Sequence, residues 1–184
     1  SKSPLLIGMD AEWGLAMRLD STFAFPWNTT LGAVKDTALL EAVGYRMGRH
    51  VSRLGVHMNF APVADINSNP QNPIIGNRSF GEDPDEVSWQ AVAVMRGMHR
   101  AGVLSSAKHF PGHGDTASDS HKTLPVIPYD RERLDSVELR PYPELIRQGL
   151  RSVMVAHLSV PALTDSEDLP TSLSEPVIQG VLKR

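Results

Sequence analysis

Hydrophobic and polar positions along this chain follow two patterns that alternate. Four short and nearly continuous apolar runs predict buried β-strands. They cover residues 5–10, 56–66, 103–110 and 152–160. Between the runs, apolar residues recur every three or four positions, which predicts amphipathic helices. The predicted helices cover 36–54, 85–101 and a stretch within 131–148, and a last one begins after Ser174 with Pro176 in its first turn.

This order of elements predicts an α/β fold with a parallel sheet, because each strand is followed by a helix that can cross back over the sheet. Strands that helices cover on both faces are nearly continuously apolar, as these runs are. A doubly wound open sheet and a (β/α)8 barrel both fit four such units, and the long loops after the strands favour the barrel slightly. A whole barrel takes about 250 residues, so a chain of 184 residues is either an open sheet or a piece of a barrel.

Polar residues gather where the predicted strands end. They are Asp10, Asp65, Lys108, His109 and His157. In parallel α/β folds, ligands bind at the carboxyl ends of the strands, so these positions predict a binding site. Asp65 is explained more simply as a residue that shapes the following turn, and His157 fits a core position nearly as well as a pocket.

The composition is that of an ordinary globular chain and narrows the choice of partners. The net charge is −3 and the sequence pI is about 6.1, whereas a nucleic-acid-binding domain normally has a basic face. No apolar run reaches the roughly 18–20 residues of a membrane-spanning helix. The chain has no cysteine, which excludes disulfides and thiolate chemistry. We therefore expect neither a nucleic-acid partner nor a membrane span.

One predicted loop within residues 105–125 holds three of the seven histidines, which are His109, His113 and His121. Three imidazoles beside aspartates could bind zinc, but a pair spaced four residues apart suits a helix, which Pro111 and the neighbouring glycines break. Acid/base chemistry is the better interpretation, since Asp119 stands two residues before His121 and can fix the imidazole tautomer. The glycines of the loop predict a mobile active-site segment.

The segment KHFPGHGDTASDSHKTLP, residues 108–125, resembles the signature loop of the bacterial β-N-acetylglucosaminidases of glycoside hydrolase family 3. Three further segments resemble that family in the same order: IGMDAEWG, NFAPVADINSNPQNPIIGNRSFGEDP and VMVAHLSVP. The resemblance implies a (β/α)8 TIM-barrel-like fold, about half of which is present, with residues 1–184 forming part of a single N-terminal catalytic domain. It also implies a retaining hydrolase that removes terminal β-linked N-acetylglucosamine from peptidoglycan-type or related fragments.

The same resemblance implies roles for seven residues of this chain. His121 would be the general acid/base and Asp119 its partner. The residues that would bind sugar hydroxyls are Asp10, Arg18, Arg78, Lys108 and His109. A histidine acid departs from the pair of carboxylates that most glycosidases use. No metal or other cofactor is implied, and the expected partner is a carbohydrate that contains N-acetylglucosamine.

This chain departs from the family pattern in two places. After the first strand the family has D-x-E-G-G-R, whereas this chain has DAEWGLAMR, with Trp13 in place of a glycine and Leu15 in place of the first arginine. We expect Trp13 either to stack against a sugar or to pack within its loop. The family's aspartate nucleophile follows a later strand, so we expect it beyond residue 184 and expect this chain alone to be inactive. A further C-terminal domain in the full-length chain is compatible with this expectation.

Three alternatives stay open from the sequence. The first is a member of the same family that acts on β-glucosides. The second is a metal-dependent hydrolase that uses His109, His113 and His121. The third is a sugar-binding module without catalysis. Because relatives occur both in the cytoplasm and outside it, the compartment of this bacterial-type protein also stays open.

Overall fold

The computed structural model describes residues 4–116, 124–164, 166 and 168–183. Four strands form the sheet: β1 (Gly8–Met9), β2 (Met58–Asn59), β3 (Leu104–Phe110) and β4 (Ser152–Val155). The α-helices are α1 (Asn28–Gly32), α2 (Thr37–Arg53), α3 (Pro84–Arg100), α4 (Arg131–Ser136), α5 (Pro141–Arg147) and α6 (Pro161–Thr164). Short 3-10 turns cover Leu15–Met17, Gly76–Arg78 and Thr171–Leu173, and a π-helical segment covers Pro176–Leu182.

The strands pair in parallel and in chain order, β1-β2-β3-β4. Gly8 is opposite Met58, Met58 is opposite Leu104, and Lys108 is opposite Met154. This arrangement confirms the predicted α/β fold with a parallel sheet. Because the strands are parallel and adjacent, their carboxyl ends all meet at one edge of the sheet.

The predicted strands are longer than those that form. The apolar run at 56–66 pairs as a ladder only at β2, and beyond it Val63 makes a single bridge to Lys108. Residues 61–66 are buried without forming a continuous ladder, so the apolar character of this run reflects burial rather than ladder length. For the run at 5–10, the prediction of a buried strand is wrong at its first residues, since Leu5 and Leu6 are 80% and 67% exposed.

Helices α2 and α3 begin and end within one residue of the prediction, and each begins at a side-chain cap. Asp36 accepts hydrogen bonds from the backbone of Ala38 and Leu39, and Asp83 accepts from Asp85 and Glu86. The two helices cross in close contact, since a Cβ on Gly44 would lie 2.1 Å from the carbonyl oxygen of Val94. The core around them is the main hydrophobic cluster, and it includes Met47, Met95 and Met98.

The single helix predicted within 131–148 is in fact two, α4 and α5. Pro141 is the first residue of α5, and a proline has no N–H with which to continue the hydrogen bonds of a preceding helix. At the end of the chain, Ser174 accepts a hydrogen bond from the N–H of Val177, at 3.4 Å from nitrogen to oxygen. The helix expected after Ser174 therefore forms, with π-helical geometry.

Candidate active site

A cavity of about 550 Å³ opens at the carboxyl ends of the strands. All five residues expected to bind sugar line it: Asp10, Arg18, Arg78, Lys108 and His109. They come from three separate parts of the chain, namely the loop after β1, the turn before α3 and the end of β3. The position of the cavity agrees with the rule that ligands bind beyond the carboxyl ends of parallel strands.

Lys108 is the centre of the charged network in this cavity. Its side chain is only 2% exposed, and Nζ lies 2.8 Å from Oδ1 of Asp10 and 2.7 Å from Oε1 of Glu12. Asp10 also accepts a hydrogen bond at 2.6 Å from Nη2 of Arg18. A buried ammonium group requires such partners, because an unpaired charge in the interior is costly. The network therefore holds Asp10 and Glu12 in fixed positions on either side of Lys108.

Glu12 is a site residue to which sequence reasoning assigned no role. Its side chain is 1% exposed and accepts a two-pronged interaction from Arg78, at 2.9 Å from Nε and 2.8 Å from Nη2. The signal was present in the D-x-E spacing, because residues two apart in extended backbone point to the same side. Glu12 thus links the two cations of the cavity, Lys108 and Arg78.

Opposite charges in this network stabilise the ionised forms of Asp10, Glu12 and Arg78. Burial raises the pKa of Glu12, but the hydrogen bonds and positive charges of Arg78 and Lys108 outweigh it and lower that pKa overall. Burial likewise raises the pKa of Asp10, and Lys108 and Arg18 together lower it below its ordinary value. For Arg78, burial lowers the pKa, but the hydrogen bonds and charge of Glu12, together with the charges of Asp65 and Asp10, raise that pKa overall. Both carboxyl groups are therefore ionised at neutral pH.

Asp65 orients His109, which corrects the simpler interpretation of Asp65 as a turn residue. Its side chain is fully buried, and Oδ2 lies 2.6 Å from Nδ1 of His109. Oδ1 accepts backbone hydrogen bonds from His109 at 3.1 Å and from His113 at 2.7 Å. Burial raises the pKa of Asp65, but attraction to His109 and these hydrogen bonds lower it overall. One carboxylate thus holds both the ring and the backbone of the strand end.

The hydrogen bonds of His109 define its tautomer. Nε2 lies 3.3 Å from Nη2 of Arg78. A guanidinium group can only donate, so Nε2 is the acceptor in this contact and the ring proton is on Nδ1, where it faces Asp65. A continuous series of hydrogen bonds therefore runs from Asp65 through His109 to Arg78 and Glu12. These hydrogen bonds fix the polar wall of the cavity.

The described part of the histidine-rich loop is tightly packed around its glycines, and the mobility of the loop stays a prediction. A Cβ on Gly114 would lie 1.6 Å from the carbonyl oxygen of Ile66, so only glycine fits. Nδ2 of Asn72 donates to the carbonyl oxygens of His113 and Gly114, at 2.8 and 3.0 Å. His113 is buried, with Nδ1 2.7 Å from Oγ1 of Thr116, and burial lowers its pKa.

Two residues with open interpretations also line the cavity. His157 lines it and is exposed, with Nδ1 2.8 Å from Oγ of Ser172, so it is not a core histidine. Trp13 lines it as well, and its ring centroid is 4.1 Å from that of Trp27.

The predicted acid/base pair, Asp119 and His121, lies outside the described residues. Asp115 precedes these positions in the chain and Tyr129 follows them, and Asp115 accepts a hydrogen bond from Tyr129 at 2.6 Å. Asp115 also accepts a hydrogen bond from Ser68 at 3.1 Å. Among the described residues, no group of three or more His, Cys, Asp or Glu side chains is arranged to hold a metal ion. Over residues 4–116 and the later described ranges, no helix is long and apolar enough to cross a membrane.

Comparison with known proteins identifies the family of this chain. The sequence pattern of the glycosyl hydrolase family 3 N terminal domain matches residues 1–184. Beta-hexosaminidase A of Pseudoalteromonas piscicida is 39% identical over 173 residues, which are 91% of this chain and 29% of that protein.

Two solved structures share the fold over almost the whole chain. A glycoside hydrolase family 3 beta-N-acetylglucosaminidase from Paenibacillus sp. str. FPU-7 is 45% identical with a TM-score of 0.94, over 98% of this chain and 34% of that one. The beta-glucoside phosphorylase BglX, bound to 2FGlc, is 31% identical with a TM-score of 0.94, over 100% of this chain and 35% of that one. This chain spans about a third of the length of each of these relatives. The charged cavity beyond the strand ends, the parallel sheet and these matches agree, and the chain belongs to glycosyl hydrolase family 3.

Proposed function

We propose that the protein is a retaining glycoside hydrolase that removes terminal β-linked N-acetylglucosamine from peptidoglycan-type or related fragments. One observation carries the proposal: all five residues expected to bind sugar line a single cavity, and four of them are held there by buried partners. The five are Asp10, Arg18, Arg78, Lys108 and His109, and the exception is Arg18, whose partner Asp10 is partly exposed. Its volume of about 550 Å³ lies within the roughly 300–1,000 Å³ typical of small-ligand sites. The beta-hexosaminidase and beta-N-acetylglucosaminidase relatives support the choice of sugar.

The cavity has the donors and acceptors that a sugar edge needs. The ionised carboxylate of Asp10 is partly exposed, so its oxygens can accept hydrogen bonds from two adjacent hydroxyl groups. Arg78 and Lys108 can donate only, and Nε2 of His109 faces the same space. A bound sugar ring would therefore meet both acceptors and donors, in an arrangement fixed before the sugar arrives.

Catalysis would use His121 and Asp119 with a carboxylate nucleophile from beyond residue 184. In the first step the nucleophile attacks the anomeric carbon, the bond to the leaving oxygen breaks, and the imidazolium of His121 gives its proton to that oxygen. In the second step neutral His121 takes a proton from water, whose oxygen displaces the enzyme carboxylate. Asp119 would stabilise the imidazolium and hold its tautomer.

The test is turnover of a chromogenic N-acetyl-β-glucosaminide by the full-length protein and by its His121→Ala variant, each with and without a chelator. We expect activity that survives the chelator and falls at least a hundredfold in the variant. Activity that does not depend on His121 would refute the acid/base assignment. Activity lost with the chelator would favour the metal-dependent alternative, and binding of N-acetylglucosamine without turnover would favour a sugar-binding module.

A second candidate is action on β-glucosides with phosphate as acceptor. The similarity to a beta-glucoside phosphorylase, at 31% identity, is the observation in its favour. A neutral imidazole in the second step adds no negative charge near an incoming phosphate, whereas a carboxylate would. Release of glucose 1-phosphate from a β-glucoside in phosphate buffer, with no turnover of the N-acetylglucosaminide, would establish this candidate in place of the first.

A further inference from the structure

Aromatic side chains are concentrated in the segment that follows β1. The chain has three tryptophans and five phenylalanines, and four of these eight lie within residues 13–27. Two of the four are not core residues, since Phe23 is 63% and Trp27 44% exposed. Exposed aromatic groups beside a cavity are typical of a binding surface. The sugar contacts and proton transfers proposed above use none of them.

Trp13 lies where this aromatic segment meets the cavity. It lines the cavity together with Asp10 and Arg18, and it is partly buried. The centroid of its ring is 4.1 Å from that of Trp27, with the two planes inclined at 47°. The two indoles therefore form one continuous apolar surface that leads from the charged cavity to solvent.

Main-chain contacts hold this surface in place. The N–H of Phe25 donates to the carbonyl oxygen of Trp13 at 3.1 Å. Gly14 has a φ of 84°, and a Cβ there would lie 2.6 Å from the ring of Phe25, so the turn that presents Trp13 requires glycine. The surface is thus built on a local conformation that few sequences allow.

Trp27 is anchored to the segment that supplies Arg78. It directly precedes α1, whose first residue, Asn28, donates from Nδ2 to the carbonyl oxygen of Arg78 at 2.7 Å. Thr29 donates to the carbonyl oxygen of Ser79 at 3.3 Å. The indole pair and the sugar-binding arginine therefore have a fixed relative position, as a specific subsite requires.

We propose that Trp13, backed by Trp27, binds the ring of the sugar that leaves. This inference rests on the proposed function and names the substrate class more closely. The polar cavity takes the terminal N-acetylglucosamine, and a pyranose linked to it reaches the mouth, where its apolar C–H face packs on the indole. The preferred substrates are therefore di- and oligosaccharides, in contrast to glycosides with a small leaving group.

The test compares two substrates with alkoxide leaving groups, of which only one has a second ring. They are N,N′-diacetylchitobiose and methyl N-acetyl-β-D-glucosaminide. In the full-length protein, we expect Trp13→Ala to lower kcat/KM about tenfold for the disaccharide, in keeping with one lost aromatic contact. We expect less than a twofold change for the methyl glycoside, and partial recovery in Trp13→Phe. Phe23→Ala is the matched control, because Phe23 is exposed on the same segment and does not line the cavity, and it should change neither rate.

An equal loss on both substrates would overturn the inference, since Trp13 would then serve the first sugar or the fold. No loss on the disaccharide would overturn it as well. If the wild-type protein cleaves neither substrate, the proposed function fails, and calorimetric binding of N-acetylglucosamine and of the disaccharide decides the subsite separately. Tighter binding of the disaccharide that Trp13→Ala abolishes supports the subsite, and equal binding of both sugars by the wild type refutes it.

Discussion

The substitution Asp65→Asn is a severe test of the contacts between Asp65 and His109, because it changes only one atom and the charge. Three N–H groups point at its two carboxylate oxygens. Asparagine can place its oxygen where Oδ1 stands and keep both backbone hydrogen bonds. Its NH2 group then faces Nδ1–H of His109, so that two buried donors oppose each other. The ring can relieve this only by moving its proton to Nε2, which faces Arg78 at 3.3 Å.

The magnitude follows from this conflict. A buried donor left without an acceptor costs about 1–3 kcal/mol. Since His109 is partly exposed on the cavity side, the moved proton can reach solvent, which keeps the loss away from the upper limit. We therefore expect Asp65→Asn to lower the free energy of unfolding by about 2 kcal/mol. We expect kcat/KM to fall about 10- to 100-fold, because Nε2 changes from acceptor to donor in the sugar-binding wall.

The assay is denaturant unfolding and steady-state kinetics of the full-length protein, with ring nitrogen NMR to report the tautomer of His109. Asp83→Asn is the matched control, since Asp83 caps α3 through accepted hydrogen bonds alone and asparagine is an equally good cap. Wild-type stability and kinetics in Asp65→Asn, or a loss no larger than that of Asp83→Asn, would refute the reasoning.

The same residue predicts a pH dependence. The folded protein lowers the pKa of Asp65, so its contribution to stability is fully present above the pKa of the unfolded chain. This contribution is lost as pH falls below about 4 toward the folded value. The difference in stability between wild type and Asp65→Asn should therefore narrow between about pH 5 and pH 3. A difference that stays constant over this range would contradict the assigned role of the carboxylate charge.

Three further predictions follow from the site. Glu12→Gln removes the buried negative charge between Lys108, which is buried, and Arg78, which is partly buried, and we expect it to lower the free energy of unfolding by about 3–5 kcal/mol in denaturant unfolding. Arg78→Lys keeps the charge but loses the two-pronged interaction with Glu12, so KM should rise about tenfold in the sugar assay, and an unchanged KM would contradict this. Gly114→Ala should destabilise the protein by more than about 3 kcal/mol, because its Cβ would overlap the carbonyl group of Ile66. Gly81 has open space around it, so Gly81→Ala should cost less than about 1 kcal/mol by the same unfolding measurement.

The elements that sequence reasoning placed best are those that local chemistry defines. Helices α2 and α3 each follow an aspartate that caps them, and α3 begins with a proline, so their bounds depend on residues a few positions apart. The strand bounds were placed less well. Ladder hydrogen bonds require a neighbouring strand, and the apolar run at 56–66 is buried over a longer range than it is paired.

The sequence by itself determined the parallel α/β order, the bounds of α2 and α3, and the collection of polar residues at the strand ends. Those properties arise from periodicity, caps and the position of residues relative to their own strand. Tertiary structure alone decided the roles of Glu12 and Asp65. Glu12 acts by linking Lys108 and Arg78, and Asp65 acts by holding His109. These partners are 44 or more residues away in the chain, and a carboxylate acquires its charge and its task only when folding buries it beside them.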